Sequence, residues 1–172
     1  WISFLMSTNT GSNNTWNLSF NYQIRDSVGT IGNKPLYVKA LSSGLSNLKS
    51  FKYNGNTYFL SLVNPNNFVT GVNTIKAYIS KKSSVITTPY ALASEQFIVA
   101  ITPTMPDMGN HTSPNNEALT LNTDSTYTGK INLTMTGVWN IHLVVKTPDG
   151  TVIAGGDNDD SGYSNLYWTV NI

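Results

Sequence analysis

Residues 131–145 read INLTMTGVWNIHLVV, and this stretch decides the fold. Its apolar side chains follow a period of two on both sides of Gly137. They are Ile131, Leu133 and Met135 before the glycine, and Trp139, Ile141, Leu143 and Val145 after it. Alternation of this kind is typical of β-strands that bury one face. We therefore expect Met135 and Trp139 to be core side chains, and His142, on the opposite face, to be an ordinary surface histidine.

The same pattern recurs along the whole chain. Trp16, Leu18, Phe20 and Tyr22 alternate near its start, and further strand candidates are residues 36–41, 57–63, 74–80, 97–101 and 166–172. Asn-Gly, Pro-Asn, Pro-Asp-Gly and Gly-Gly turn signals separate these segments, and no segment has the spacing of a full helix. The sequence predicts an all-β protein with the architecture of an antiparallel β-sandwich.

Comparison of the chain with itself indicates a duplicated domain. The run Ile131-x3-Met135, Gly137, Trp139-Asn-Ile recurs as Ile2-x3-Met6, Gly11, Trp16-Asn-Leu. We expect residues 1–48 to be the C-terminal half of a first repeat and residues 49–172 to be a complete domain. Because the chain begins at Trp1 inside a strand pattern, we expect a processed piece of a longer precursor, without its signal segment. The alternative is a complete protein whose first hairpin joins the same sheets.

Composition excludes several classes of function. Only 11% of the residues are charged, the net charge is +1 and there is no Cys, so disulfides and thiolate metal sites are excluded. The cations are scattered, which argues against a nucleic-acid partner. No apolar run approaches the roughly 20 residues of a transmembrane segment. With two His and nine acidic residues, and with no triad order or phosphate-binding loop, we expect no enzyme.

The window MPDMGNH, residues 105–111, holds two of the four Met and one of the two His. The prolines in and around it predict an irregular loop after a strand that ends near Ile101, with its Met side chains away from a strand's inward face. Thioether sulfur and neutral imidazole favour Cu(I), so Met105, Met108 and His111 are the candidate ligands. The alternative is that Met105 or Met108 closes the open end of the sandwich while His111 is solvated.

A second cluster, DNDDSG at residues 157–162, resembles the first half of a calcium loop. Asp157, Asp159 and Ser161 would supply oxygen donors, and Gly162 would make the turn. The twelfth position is Trp168, so the bidentate Glu of such a loop is absent. We keep calcium as a weak alternative to a solvated loop.

The order of three motifs, MPDMGNH, then Tyr127-x-Gly129, then Met135-x-Gly-x-Trp139, resembles the YtkA-like and FixH-like β-sandwich domains of bacterial envelope proteins. The resemblance covers roughly residues 58–172. It implies an immunoglobulin-like fold and an extracytoplasmic location, as a periplasmic protein, an outer-membrane lipoprotein or a secreted protein. It also implies that the protein binds copper.

Carried over to this chain, the resemblance implies that Met105, Met108 and His111 form the metal loop and that Met135 is a further candidate ligand. Asp107 and Trp139 would surround or cap the site. The chain departs from the family motif at Asn110, an extra residue before His111.

Two functions follow from these patterns. The first is a non-enzymatic, extracytoplasmic Cu(I)-binding module, with Met105, Met108 and His111 as the ligands. The second is a structural or interaction domain of immunoglobulin-like fold that docks an envelope protein or a glycan and holds no metal.

Overall fold

The computed structural model describes residues 14–38, 47–65, 67–85, 90–157 and 166–172. It divides the chain into two compact units. The smaller unit contains residues 14–38, and the larger unit contains the other described residues. Neither unit, over those ranges, includes a helix long and apolar enough to cross a membrane.

Both units are built from antiparallel strands. The smaller unit has β1 (Asn14–Ile24) and β2 (Ser27–Val38). The larger unit has β3 (Leu48–Tyr53), β4 (Asn56–Asn64), β5 (Gly71–Lys81), β6 (Ile98–Met105), β7 (His111–Thr112), β8 (Glu117–Leu121), β9 (Tyr127–Leu133), β10 (Val138–Lys146), β11 (Val152–Gly155) and β12 (Tyr167–Asn171). A single turn of 3₁₀-helix, Pro106–Met108, separates β6 from β7. The prediction of an all-β fold is confirmed.

The strands of the larger unit form two layers. In one layer the order is β3-β4-β5-β9-β8, and in the other β6 pairs with β7 and with β10, whose far edge carries both β11 and β12. A single pair, Val99 with Leu119, joins β6 to β8 and so connects the layers. The result is an antiparallel sandwich rolled into a nearly closed barrel.

The core lies between these layers and contains the alternating side chains read from the sequence. Trp139, Ile141, Leu143 and Val145 of β10 are fully buried, as are Ile131 and Leu133 of β9. Across the core, Phe51, Tyr58 and Phe97 form an aromatic cluster with ring centroids 5.3 to 5.4 Å apart. Because burial of large apolar side chains is the main favourable term in folding, this alternation is sufficient to fix which face of each strand points inward.

The structure corrects the predicted end of β6. The strand does not end near Ile101 but continues through Pro103 to Met105. Proline is tolerated there because β8 pairs with β6 at Val99 and β7 pairs with it only from Thr104 onward, which leaves one edge of β6 without a paired strand around Pro103.

The smaller unit is a hairpin with two distinct faces. Its turn contains Arg25, whose φ of 53° lies in the left-handed region. The strand β2 begins directly after this turn, at Ser27. It therefore starts well before the closing strand predicted at residues 36–41. In the register, Phe20 pairs with Ile31 and Tyr22 with Gly29 on one face. Asn21 pairs with Thr30 on the other face, where the Thr30 hydroxyl donates to the Asn21 side-chain oxygen over 2.8 Å.

The expected boundary between repeats, at residues 48 and 49, stays a prediction. Trp16 lies in β1 and Trp139 in β10, and each of these strands pairs antiparallel with the strand that follows it. Ile2, Met6 and Gly11, on which the repeat also depends, lie outside the described residues.

Candidate metal centre

The window 105–111 folds as a tight hairpin between β6 and β7. Pro106 starts the 3₁₀-helix, where its fixed φ is already suitable, and Gly109 ends it in the left-handed region. Asn110 is left-handed as well, with φ of 59°, which an asparagine adopts more readily than most residues. Its backbone N–H donates to the Met105 carbonyl over 3.0 Å and closes the loop.

This closure brings two of the three candidate ligands opposite each other. Met105 pairs with His111 in the β6–β7 ladder, and Thr104 pairs with Thr112. Directly opposed residues of an antiparallel pair have β-carbons about 5 Å apart on the same side of the ladder. The extra residue Asn110 is therefore part of the turn that sets His111 against Met105.

Met105 itself corrects an expectation. It was predicted to be a loop residue, but it is the last residue of β6, is 4% exposed and belongs to the hydrophobic core. Its terminal methyl group lies over Gly137, in the loop between β9 and β10. The thioether sulfur is thus inside the end of the sandwich, as the alternative interpretation of the window proposed.

Met108 and His111 differ from Met105 in their exposure. Met108 lies at the end of the 3₁₀-helix and is 53% exposed, and His111 and Asp107 are exposed too. The hairpin therefore presents one thioether and one imidazole to solvent, with the second thioether buried beneath them.

Met135 and Trp139 have structural positions. Met135 is partly buried and packs against the core, and its carbonyl accepts a 2.9 Å hydrogen bond from the Trp139 indole N–H. The backbone of Gly137 exchanges two hydrogen bonds with Ile172, of 2.8 and 3.1 Å. Met105, Met135, Gly137 and Ile172 together close this end of the sandwich.

The calcium alternative gains no support in the described part of the chain. Asp157 is exposed after β11, and Asp159 and Ser161 lie outside the described residues. Over the described ranges there is also no group of three His, Asp or Glu side chains that could hold a metal ion.

The structure places His142 differently from its prediction as a surface residue. It does lie on the opposite face from Trp139, but it is 3% exposed. Its Nε2 is 2.9 Å from the Thr104 hydroxyl, and its ring lies 5.6 Å from that of Tyr167. The ammonium of Lys49 stands 5.6 Å from the Tyr167 ring, and burial lowers the pKa of Lys49. The sequence does not predict this cluster of His142, Thr104 and Tyr167, because it forms only when β10 pairs with β6 and β12.

A second polar cluster that the sequence did not reveal lies at the other end of β6. The Tyr58 hydroxyl donates to Glu95 over 2.7 Å and Lys81 donates to the same oxygen over 2.9 Å. These two donors hold the pKa of Glu95 at about 2. The carboxylate thereby ties the start of β4 and the end of β5 to the segment that leads into β6.

Searches against protein-family models, curated proteins and solved structures find no match to this chain. The resemblance to YtkA-like domains therefore rests on the motifs alone.

Proposed function

We propose that the protein is an extracytoplasmic Cu(I)-binding module, with Met105, Met108 and His111 as the ligands. The observation that carries the proposal is the pairing of Met105 with His111 across the β6–β7 hairpin. Met108 lies between them in sequence, on the exposed 3₁₀-helix of the same loop. One thioether, one imidazole and a second thioether are thus held on a loop of seven residues.

The chemistry of this donor set suits Cu(I) better than other common ions. Thioethers are soft, neutral ligands, and with a neutral imidazole they would leave the charge of the metal uncompensated, which Cu(I) tolerates more readily than divalent ions do. When bound, the ion would supply a link between the exposed hairpin and the buried Met105. Met105 would hold it from the core side, and Met108 and His111 from the solvent side.

Titration with Cu(I) under reducing conditions, in competition with a chromogenic Cu(I) chelator, tests the proposal. We expect one equivalent to bind to the native chain, and Met108→Leu or His111→Gln to weaken binding at least tenfold. Both residues are exposed, so neither substitution should affect folding. X-ray absorption at the copper edge should report sulfur and nitrogen neighbours.

Met135→Leu is the matched control, because it removes a thioether from the same end of the sandwich at nearly constant volume. We expect this variant to bind Cu(I) like the native chain. Equal uptake by the native chain, Met108→Leu and His111→Gln would contradict the proposed site.

A second candidate function is that of an interaction domain without metal. It is favoured by the large apolar side chains that the β1–β2 hairpin exposes, including Ile24, Val28 and Tyr37. Under this alternative the partner is a protein or a glycan of the cell envelope, and the native chain takes up no Cu(I) above the level of a variant that lacks Met108 and His111.

A further inference from the structure

The β1–β2 hairpin exposes one apolar face, which we call the hairpin face and define by Phe20, Tyr22, Ile24 and Ile31. Phe20 and Ile31 are a cross-strand pair, and Tyr22 and Ile24 follow at every second position of β1. Their exposed fractions are 48, 43, 65 and 47% for Phe20, Tyr22, Ile24 and Ile31. Large apolar side chains aligned on one face of a sheet normally pack against a second layer.

In the larger unit, a comparable row of apolar side chains is covered by the opposite layer of the sandwich. After Trp139, the side chains of Ile141, Leu143 and Val145 alternate along β10 and are all fully buried against the opposite layer. After Trp16, Phe20 and Tyr22 occupy corresponding positions, four and six residues on, and are about half exposed. The hairpin face therefore has the inward pattern of a sandwich strand, while its side chains are about half exposed.

The ring of Tyr22 packs against the opposite strand of its own hairpin. It lies across Gly29, its cross-strand partner, so closely that a β-carbon on Gly29 would come within 2.4 Å of the ring. An isolated two-stranded hairpin is marginally stable in water, so covering this face would also stabilise the unit.

We propose that the hairpin face is the interface of a two-fold dimer of this chain, in which two hairpins pack face to face. The four residues leave about 400 Å² exposed per copy, taking side-chain areas of about 150 to 250 Å². Two copies then bury about 800 Å² in total, which is below the standard size of specific interfaces and corresponds to a weak dimer.

Electrostatic repulsion between two copies of the chain is weak at the hairpin face. Arg25 and Asp26 are in the turn, and from Phe20 to Ile31 no other residue is charged. The net charge of the chain is +1, so two copies repel each other little. A two-fold contact uses the same surface on both copies and therefore closes without forming fibres. The dimer would be a small two-layer sandwich of the kind that the larger unit forms within itself.

Sedimentation equilibrium of the full chain, from about 5 to about 500 µM, tests the proposal. We expect a concentration-dependent dimer that Ile24→Thr with Ile31→Thr weakens at least tenfold. Threonine retains the β-branch and so the strand propensity. The matched control is Val28→Thr with Tyr37→Thr, which removes the two most exposed apolar side chains from the opposite face of the same hairpin, at 76% and 74%. The control should dimerise like the native chain.

Hydrogen exchange provides a measurement that does not depend on these variants. Amides from Phe20 to Ile31 should exchange more slowly as the concentration of the native chain rises, whereas those of β10 should not change. A chain that stays monomeric over the whole range, or a dimer weakened equally by both double variants, would overturn the proposal.

Discussion

The terminal methyl group of Met105 lies over Gly137 so closely that a β-carbon on the glycine would stand 2.9 Å from it. The contact joins the hairpin between β6 and β7 to the loop between β9 and β10. Gly137 has φ of 126°, a conformation in which residues other than glycine are strained. The backbone of this loop and the side chain of Met105 thus depend on the absence of a side chain at residue 137.

Substitution of Gly137 by alanine should destabilise the fold by about 1 to 3 kcal/mol, mostly because of backbone strain. The contact with Met105 should add little, since the end of a methionine side chain can move aside. Denaturant unfolding measures the change, and the double variant with Met105→Leu separates its two causes. Full recovery of stability in the double variant would contradict the assignment to backbone strain.

The alternation of residues 131–145 predicted the strands and their inward faces because burial requires a period of two when one face of a sheet is covered. Trp139 to Val145 follow this rule without exception. The end of β6 at Met105 could not be predicted in this way, because the prolines beside Met105 are typical of the end of a strand. Whether a proline interrupts a strand depends on which edge is paired, and that is a tertiary property of β6, β7 and β8.

The candidate site shows the same division. The chemistry of the side chains identified Met105, Met108 and His111 as candidate ligands. It could not predict the strand register that places Met105 opposite His111. His142 was placed on the correct face of its strand and still assigned wrongly to solvent. Its burial arises from Thr104 and Tyr167 on neighbouring strands, and no local pattern encodes those neighbours.

The Glu95 carboxylate should make stability depend on pH in acid. Its folded pKa of about 2 lies below the ordinary value of 4.5, so its contribution is complete above about pH 5 and is lost as the pH falls toward 2. After allowance for its partial exposure, the contribution should be about 1 to 3 kcal/mol. Unfolding free energies should be nearly equal at pH 7 and 5 and should decrease from pH 5 to 4 and from 4 to 3.

Glu95→Gln should lower stability at pH 7 and flatten this dependence. The matched control is Glu117→Gln, since Glu117 also pairs with a lysine at 2.9 Å but in a more exposed setting. We expect this control to lose less than about 0.5 kcal/mol. An acid dependence in Glu95→Gln as steep as in the native chain would show that other groups cause it.

The two core tryptophans should respond differently to replacement by phenylalanine. Trp139 donates its indole N–H to the Met135 carbonyl, whereas that of Trp168 meets no hydrogen-bond acceptor among the described residues. Both side chains are at most 1% exposed, so their losses of apolar contact are similar. Trp139→Phe should therefore be more destabilising than Trp168→Phe by about 1 kcal/mol, because it leaves a partly buried carbonyl without its hydrogen bond. Equal losses in thermal unfolding would contradict this difference.

Gly155 is the position where a side chain should be least tolerated. A β-carbon there would lie in contact with the carbonyl oxygen of Leu143 on β10, and backbone cannot yield as a side chain does. Gly150 is the matched control, because its φ of 92° is close to the 83° of Gly155 and nothing lies within 4 Å of its position for a β-carbon. Gly150→Ala should cost about 1 kcal/mol from conformation alone, and Gly155→Ala at least about 3 kcal/mol or the loss of the folded state. If chemical denaturation gives the two variants the same stability, β11 can move away from β10 and the close approach is not required by the fold.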